Sequence, residues 1–353
     1  ILKAEQGGWM PIFPAWANYT AAMIGDHVST TIADVYLKGI KDFDTEKAYF
    51  YMRKNAFETP PYEEYKDGKG RRALVSYLKY GYIPMEDSVW DAFHKNEQVS
   101  RTLEDALDDY ALARFAGALG KDDDSAILMK RSENWKNVFD PGTGFVRGRY
   151  ADGRWVEPFD PYSKAKYICE GTPYHYTWYV PHDVSGLIKM AGGNTAFLQK
   201  LDRFFEEGHY WHGNEPGHQV PFMFAMAGQP WKTQKWVQKI LGEEYGTGPG
   251  GLSGNEDAGQ MSAWLVFSMM GFYPVCPASN QYIITTPTFD EVRIVMPGKR
   301  TFVINSLERP SGNGYITAIT RNGARYYEWF LTHEEIIKGN RFTFYLGAKP
   351  AVK

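Results

Sequence analysis

The sequence predicts a mainly α protein: an (α/α)6 toroid that lacks its first helices, followed by an all-β C-terminal segment. Up to about residue 272, about ten amphipathic helical patterns alternate with long loops, against roughly twelve helices in a ring of six helix hairpins. After Phe272, short β-branched and aromatic runs separated by Pro, Gly and Asn predict strands. We therefore expect a helical barrel, incomplete at its N-terminus, over 1–272 and a β-rich segment over 273–353.

The spacing of apolar residues and the positions of capping residues predict the individual helices and strands. The clearest helix covers 96–119, where an apolar stripe lies opposite a charged face and Gly120 ends the pattern. The charged face consists of Arg101, Glu104, Asp105, Asp108 and Asp109. A further helix is predicted to follow Asp42, which would cap it. The other predicted helices cover 20–37, 72–80, 122–138, 184–191, 195–207, 217–227, 232–242 and 259–271, and the predicted strands 282–286, 292–296, 302–304 and 342–345.

Composition excludes some functions and leaves others open. A net charge of −3 argues against a nucleic-acid partner, which usually requires a basic face. No apolar run approaches the roughly 18 residues of a membrane helix, so we expect no membrane insertion. Aromatic residues make up 16% of the chain, which suits either sugar binding or, more simply, an aromatic core. Cys169 and Cys276 are too few for a disulfide framework or a sulfur-rich zinc site, so we expect buried thiols.

Glu170 lies among aromatic and histidine residues in the segment 167–183. An apolar environment raises a carboxyl pKa, which is what a general acid requires. The alternative is a solvated carboxylate before a turn, and the sequence leaves both open. Asp183, at the end of this segment, is more easily explained as a helix N-cap than as a catalytic group.

A second polar segment, 209–219, contains three histidines together with Asn214, Glu215 and Gln219. The oxygen donors fit a hard cation such as Ca²⁺ better than Zn²⁺. The alternative is a polar loop followed by a helix that begins at His218.

A Gly-rich segment, 248–264, places Asn255, Glu256 and Asp257 before an apolar helix. These residues could activate a water molecule, or Asn255 could cap the helix while the two acids interact with its dipole. A fourth candidate is Asp26 with His27, predicted inside the helix over 20–37. Buried there, the two would be a ligand-binding or a structural pair, since polar groups buried without partners are costly. Arg71 and Arg72 could bind hydroxyls or carboxylates.

Taken together, these segments closely resemble glycoside hydrolase family 92, the calcium-dependent exo-acting α-mannosidases. The matching stretches include MIGDH, YLKYGYIP, CEGTPYHYTWYVPHDVSGLI, NEPGHQVPFMFAMAGQPWKTQ and GLSGNEDAGQMSAWLVFSMMGFYPVCPAS. The resemblance implies an N-terminal β-sandwich followed by an (α/α)6 barrel, with the active site where the two meet. This chain begins inside the barrel, so we expect the sandwich to be a partner domain absent from it.

The resemblance also implies roles for individual residues. Glu170 would be the general acid and Asp257 the general base of an inverting mechanism, which requires a carboxyl separation of roughly 6.5–9.5 Å. Asn255 occupies a position that usually carries a second acid. An amide can orient water but cannot accept its proton, so shared-base behaviour is not expected.

Further implied roles concern substrate and metal. Glu215 and Gln219 would hold Ca²⁺, and Glu215 with Asn214 would lie at the leaving group. Many members selective for α-1,2 linkages carry His where this chain has Asn214, so the linkage, α-1,2 or α-1,3, stays open. Asp26 and Arg72 would bind hydroxyls of the terminal mannose.

The sequence therefore predicts a secreted or periplasmic exo-α-mannosidase that releases terminal mannose from mannose-containing glycans. Two alternatives remain: an (α/α)6 glycosidase for another α-linked sugar, and an inactive glycan-binding remnant.

Overall fold

The structure is a computed structural model that describes residues 1–89, 92–311 and 314–350. The chain divides into two compact units. The first comprises Ile1–His182 with Pro277–Ser279, and the second comprises Asp183–Cys276 with the chain from Asn280 onward. Helices dominate up to Met270 and strands dominate after it, which confirms the predicted mainly α fold with a β-rich C-terminal segment. Across the described residues, no helix has both the length and the apolar character needed to cross a membrane.

The first unit is built around one long helix, α6. Its elements are α1 (Leu2–Gly7), α2 (His27–Leu37), α3 (Thr45–Phe57), α4 (Tyr62–Lys66), α5 (Leu74–Tyr80), α6 (Gln98–Ala118), α7 (Asp122–Arg131), β1 (Phe139–Asp140), β2 (Phe145–Val146) and α8 (Pro173–Tyr176). Helices α2, α3 and α7 pack against α6. Their shared core includes Ala33, Tyr36, Met52, Phe115 and Leu128, all buried.

The second unit combines helices with two sheets. Its elements are α9 (Val184–Met190), α10 (Asn194–Glu206), α11 (Met223–Met226), α12 (Pro230–Glu243), α13 (Gln260–Met270), β3 (Phe272–Tyr273), β4 (Gln281–Ile284), β5 (Glu291–Val295), β6 (Thr301–Leu307), β7 (Tyr315–Arg321), β8 (Ala324–Tyr326), β9 (Phe330–Thr332), α14 (His333–Ile337) and β10 (Arg341–Gly347). The larger sheet has the order β5-β6-β10-β7-β8, with β10 parallel to β6 and antiparallel to β7. The smaller sheet has the order β3-β4-β9.

Several predicted boundaries were wrong for identifiable reasons. The helix predicted from residue 20 begins only at His27, because Ala21 (φ 43°) and Gly25 (φ 83°) have left-handed backbone. Asp26 and His27 therefore lie at the start of α2 rather than inside a helix. The helix predicted over 217–227 is two short 3₁₀ turns followed by α11. Strands β7, β8 and β9 and helix α14 were not predicted.

The cap of α3 was also assigned to the wrong residue. The helix begins at Thr45, and Asp44 rather than Asp42 accepts a hydrogen bond from the Lys47 backbone N–H at 2.9 Å. A side-chain oxygen in the N-cap position satisfies a backbone donor that has no partner within the helix.

This geometry gives a direct comparison of the two aspartates. We expect Asp44→Ala to lower the free energy of unfolding by about 1 kcal/mol, because the Lys47 amide loses its acceptor. Asp42→Ala should change it by less than about 0.5 kcal/mol, because Asp42 is an exposed surface residue outside the cap. Urea denaturation followed by circular dichroism measures both, and equal effects would contradict the cap assignment.

Candidate functional site

The charged face predicted for α6 is buried. Arg101, Glu104, Asp105, Asp108 and Asp109 all have at most 5% of their surface exposed. Buried carboxylates are tolerated when opposite charges and hydrogen-bond donors surround them. Residues from α2, α5, α7 and the segment before α5 supply these partners, so both faces of α6 are packed inside the first unit.

Asp109 has the densest set of partners. Arg71 Nη1 donates to its Oδ1 at 2.6 Å, and Arg131 donates Nε and Nη2 to its two oxygens, each at 2.8 Å. The hydroxyl of Tyr77 donates to Oδ2 at 3.1 Å. Arg71 also donates Nε to Asp26 Oδ2 at 3.1 Å, so one buried guanidinium joins the start of α2 to α6.

Of the two neighbouring arginines Arg71 and Arg72, Arg71 donates hydrogen bonds to the carboxylates of Asp26 and Asp109. The Nη1 of Arg72 donates to the backbone carbonyl of Tyr65 at 2.5 Å, and its guanidinium lies 3.9 Å from the centre of the Tyr65 ring. Asp26 is fully buried beside Arg71 and Asn55. The predicted hydroxyl-binding roles of Asp26 and Arg72 stay predictions.

His27 is the accessible member of this cluster, with 43% of its side chain exposed. Its Nδ1 lies 2.9 Å from Asp108 Oδ1, and its Nε2 lies 3.1 Å from Glu104 Oε2. Thr30 also donates to Asp108, and the Asp26 backbone N–H donates to the other oxygen of that carboxylate. Although burial lowers the pKa of His27, these two carboxylates outweigh it and hold the pKa well above its usual value.

For Asp26 and Asp105, the surrounding positive charges do not fully offset the cost of burying a carboxylate. Burial raises the pKa of Asp26 to about 6, against the opposing effect of Arg71. Burial raises the pKa of Asp105 to about 7, with Asp108 and Asp109 adding to it and Arg71 and Arg101 opposing it. Within the described residues, Oδ2 of Asp105 is buried without a hydrogen-bond partner.

Glu170 lies on an exposed turn of the first unit, immediately before α8. Its backbone is left-handed, with φ 56°, a conformation that costs a non-glycine residue of order 1–2 kcal/mol. The helix that follows is fixed by a capping box between Thr172 and His175. Tyr174 and Trp178 behind the turn are buried. These aromatic rings are therefore buried, whereas the Glu170 carboxylate is exposed, as in the alternative of a solvated carboxylate before a turn.

In the second unit, Glu215 begins a 3₁₀ turn that ends at Gly217 and has Asn214 at its N-cap position. Gln219 is buried, and its Nε2 donates to the Pro216 carbonyl at 2.7 Å. The helix expected to begin at His218 is absent, since within the described chain this residue lies between two 3₁₀ turns.

Carboxylate and amide oxygens of Glu215, Gln219 and Asn214 are of the type that Ca²⁺ prefers. Two or three side chains fall short of the six to eight oxygens that Ca²⁺ takes. Backbone carbonyls, water or sugar hydroxyls would have to complete such a site, so the residues present fit calcium by donor chemistry.

Two buried histidines support this segment. His212 and His218 stack with ring centres 4.6 Å apart. The ring nitrogens of His212 lie 2.7 Å from the hydroxyls of Tyr210 and Tyr245, and His218 Nε2 donates to the His212 carbonyl at 2.9 Å. Burial lowers the pKa of His212 to about 3 and that of His218 to about 4, so both rings are neutral. They act as structural supports here.

The same histidines join the segment 209–219 to the Gly-rich segment 248–264. Gln260 Nε2 donates to His218 Nδ1 at 3.2 Å, and Trp264 Nε1 donates to the His218 carbonyl at 3.0 Å. The backbones of the two segments meet at a pair of glycines. A Cβ atom on Gly254 would lie 2.2 Å from the carbonyl oxygen of Gly213, which no side chain can tolerate.

Asp257 and Asn255 are exposed at the end of the Gly-rich segment. Asp257 has left-handed backbone with φ 44°, like Glu170 before α8. The polar contacts of the following helix come from Glu256, whose carboxylate accepts hydrogen bonds from the backbone N–H and hydroxyl of Ser262. The alternative assignment of Asn255 as the cap was wrong, because Gly259 holds the N-cap position of α13.

The structure also places side chains beside Glu170 that sequence reasoning did not select. A ring nitrogen of His94, the sulfur of Cys169 and a carboxylate oxygen of Glu170 all lie within 4.8 Å of one another. Sequence spacing gives no indication of this group, because 75 residues separate the histidine from the cysteine. By contrast, the i, i+4 spacing of Glu104 with Asp108 and of Asp105 with Asp109 could have indicated the buried acidic face. Asp183, in turn, is the N-cap of α9, as predicted.

Comparison with known proteins identifies the family of this chain. A family model for a glycosyl hydrolase catalytic domain matches the chain over residues 1–348. The model is that of glycosyl hydrolase family 92, and the chain belongs to this family.

Three relatives illustrate the match. An α-mannosidase of this family from Bacteroides thetaiotaomicron has 35% identity and a TM-score of 0.88, covering 99% of this chain and 47% of that one. A structure titled as a family 92 inverting mannosidase from the same organism has 31% identity and a TM-score of 0.91, covering 99% and 49%. An uncharacterized secreted glycosidase from Arthroderma benhamiae is 30% identical over 369 residues, covering 96% and 47%. The chain thus spans about half the length of these relatives.

We expect substitution of Asp105 and substitution of Asp109 to change the stability of the protein in opposite directions. Because the folded-state pKa of Asp105 is raised, its contribution to stability is favourable below about pH 4 and is lost as the pH rises to about 7. Asp105→Asn should therefore stabilise the protein at pH 8 relative to the wild type, by a few kcal/mol at about 1.4 kcal/mol per pKa unit. Asp109→Asn should destabilise it by about 3–5 kcal/mol, because Arg71 and Arg131 lose their shared anion.

Thermal unfolding of both variants between pH 4 and pH 8 measures this. The gain from Asp105→Asn should shrink as the pH falls. A loss of stability at pH 8 for both variants would show that Asp105 is ionised and well compensated.

The close approach of Gly254 to Gly213 predicts that a side chain at position 254 disturbs the structure locally. Gly254→Ala should displace the segments 209–219 and 248–264, because its Cβ would overlap the Gly213 backbone. Gly250→Ala is the matched control, since a Cβ there meets no atom within 4 Å. Hydrogen exchange should show lost protection in both segments for Gly254→Ala alone. Unchanged exchange in the segment 209–219 would contradict the contact.

Proposed function

We propose that this chain is the catalytic portion of an inverting, calcium-dependent exo-α-mannosidase that releases terminal mannose from mannose-containing glycans. The observation that carries the proposal is the match to the family 92 catalytic domain over nearly the whole chain. Relatives titled α-mannosidase and inverting mannosidase, with TM-scores of 0.88 and 0.91, support the substrate and the stereochemistry. The (α/α)6 arrangement, the β-sandwich partner and the secreted location belong to the same proposal.

Glu170 is proposed as the general acid that protonates the leaving glycosidic oxygen. Its left-handed turn supports this role, since backbone strain is commonly retained at functional sites. The capping box between Thr172 and His175 fixes the start of α8, directly after the turn. A rigid support of this kind holds the carboxyl group in one position for proton transfer.

Asp257 is proposed as the general base that removes a proton from the attacking water. It is exposed, it has left-handed backbone, and Glu256 already provides the hydrogen bonds to Ser262, so the Asp257 carboxylate is not needed for that contact. Asn255 would orient the same water without accepting its proton. Inversion requires a separation of roughly 6.5–9.5 Å between the Glu170 and Asp257 carboxyl groups, which stays a prediction.

Glu215 and Gln219 are proposed to hold Ca²⁺, with Asn214 beside the leaving group. Bound calcium would polarise sugar hydroxyls and favour distortion of the ring towards its transition state. The protein's own contribution is rigidity. The stacked His212 and His218 and the Gly213–Gly254 contact hold the calcium-binding segment against the segment that carries Asp257.

In the first unit, Asp26 and Arg72 are proposed to contribute to recognition of the terminal sugar. His27, whose ring is partly exposed and held by Glu104 and Asp108, marks where the buried cluster reaches the surface. The cluster would fix the position of any group that contacts a sugar hydroxyl. Whether the linkage is α-1,2 or α-1,3 depends on groups around Asn214.

The experiment is proton NMR of α-mannobiose hydrolysis by the chain, alone and joined to the N-terminal region of a longer family member. We expect initial release of β-mannose, abolished by a calcium chelator and restored by added Ca²⁺. Glu170→Gln and Asp257→Asn should each lower kcat at least about 10³-fold without lowering Tm. Asp152→Asn is the control, since this exposed carboxylate, paired with Arg154, lies in the same connection as Glu170.

Different results would point elsewhere. Initial release of α-mannose, or activity that a calcium chelator does not change, would contradict the mechanism. Hydrolysis of another α-linked sugar in preference to mannose would contradict the substrate. Glycan binding without turnover in both forms of the protein would identify a non-catalytic remnant.

A further inference from the structure

His94, Cys169 and Glu170 form a compact group of metal-binding side chains in the first unit. A carboxylate oxygen of Glu170, the Cys169 sulfur and a His94 ring nitrogen all lie within 4.8 Å of one another. The Cys169 Sγ atom is 3.6 Å from His94 Nδ1 and 3.8 Å from His94 Nε2. With zinc–ligand bonds of about 2.0–2.3 Å and tetrahedral angles, ligand atoms are separated by roughly 3.3–3.8 Å. The sulfur–nitrogen distances therefore match those of a zinc site, and the Glu170 carboxylate oxygen lies within 4.8 Å of both atoms.

The histidine has a carboxylate partner at one of its ring nitrogens. His94 Nδ1 lies 3.2 Å from Glu97 Oε1, which can accept its proton in a hydrogen bond and leave the Nε2 lone pair available. A carboxylate behind a histidine in this way is the usual outer partner of a metal-binding imidazole. The Sδ atom of Met23 lies 3.2 Å from Nε2, which places a second sulfur at the same point.

The surroundings allow a metal to enter but keep the donors in place. His94 and Cys169 are buried, whereas Glu170 is exposed, so the group opens to solvent on the carboxylate side. The backbone on both sides is fixed, because Ser100 Oγ accepts from the Cys169 N–H at 2.9 Å and Arg101 donates to the His94 carbonyl. Without a metal, burial raises the pKa of the Cys169 thiol, and metal binding would displace its proton.

We propose that His94, Cys169 and Glu170 bind zinc, with Met23 beside them, and that zinc bound there occupies the Glu170 carboxylate and reversibly inhibits the enzyme. The inhibition rests on the proposed role of Glu170 as general acid, whereas the metal site itself does not. A thiolate and an imidazole select zinc over calcium, while the oxygen donors of Glu215 and Gln219 select calcium. The two metals would therefore not compete for one site.

Binding is tested on the intact chain, without substrate and with Ca²⁺ in excess. Cobalt(II), used as a spectroscopic substitute for zinc, should give a thiolate-to-cobalt charge-transfer band at one equivalent, and added zinc should remove it. Cys169→Ser should abolish the band and weaken zinc binding at least about 100-fold, measured by competition with a chromophoric chelator. Glu97→Gln should weaken it about 10-fold, because the histidine loses its outer partner.

The matched control is Cys276→Ser, which removes the other buried cysteine, in the second unit. It should keep both the cobalt band and the zinc affinity. A band that survives Cys169→Ser, or that is lost in Cys276→Ser, would overturn the site.

Inhibition is then measured on mannoside hydrolysis. Zinc should lower the rate, and a zinc-selective chelator in the presence of excess Ca²⁺ should restore it. Cys169→Ser should make the remaining activity insensitive to the same zinc concentration. Zinc binding with no change in rate would overturn the inhibition. A Cys169-dependent cobalt band in a protein without mannosidase activity would contradict the proposed function and leave the metal site intact.

Discussion

The first unit depends on the compensation of buried charge along α6. Five charged residues of one helix are buried, and Glu104, Asp108 and Asp109 are tolerated there because Arg71, Arg131 and His27 reach them from other elements. Leaving a buried charge without its partner costs several kcal/mol, so these pairs restrict the position of each contributing element. Asp26, at the start of α2, is one of the groups positioned in this way.

In the second unit, neutral groups rather than charges hold the functional loops in position. Two loops that carry the proposed calcium-binding residues and the proposed base contain many glycines, which by themselves leave the backbone free to move. The stacked rings of His212 and His218, which are hydrogen-bonded to Tyr210, Tyr245 and Gln260, restrict that freedom. Because both histidines are neutral, this support does not change charge near physiological pH.

The two proposed catalytic carboxylates share a local design. Glu170 and Asp257 both have left-handed backbone on an exposed turn, and a helix begins within three residues of each. The turn projects the carboxylate, and the helix with its supporting contacts prevents the turn from relaxing. Near Glu170, the same projection leaves the carboxylate close to His94 and Cys169, so the proposed catalytic geometry and the proposed zinc affinity would have one structural cause.

The sequence by itself determined the helical body, the β-rich end and the segments that carry the site, because apolar periodicity, turn residues and long motifs are local properties of the chain. It also identified Asp183 as a cap, since a capping side chain acts within three residues. The tertiary structure decided which polar residues are buried. It placed Arg71 on the carboxylates of Asp26 and Asp109, buried the charged face of α6, and brought His94 to Cys169. Each of these outcomes depends on contacts between distant residues, and the free energy of burying a charge is set by partners that local sequence does not contain.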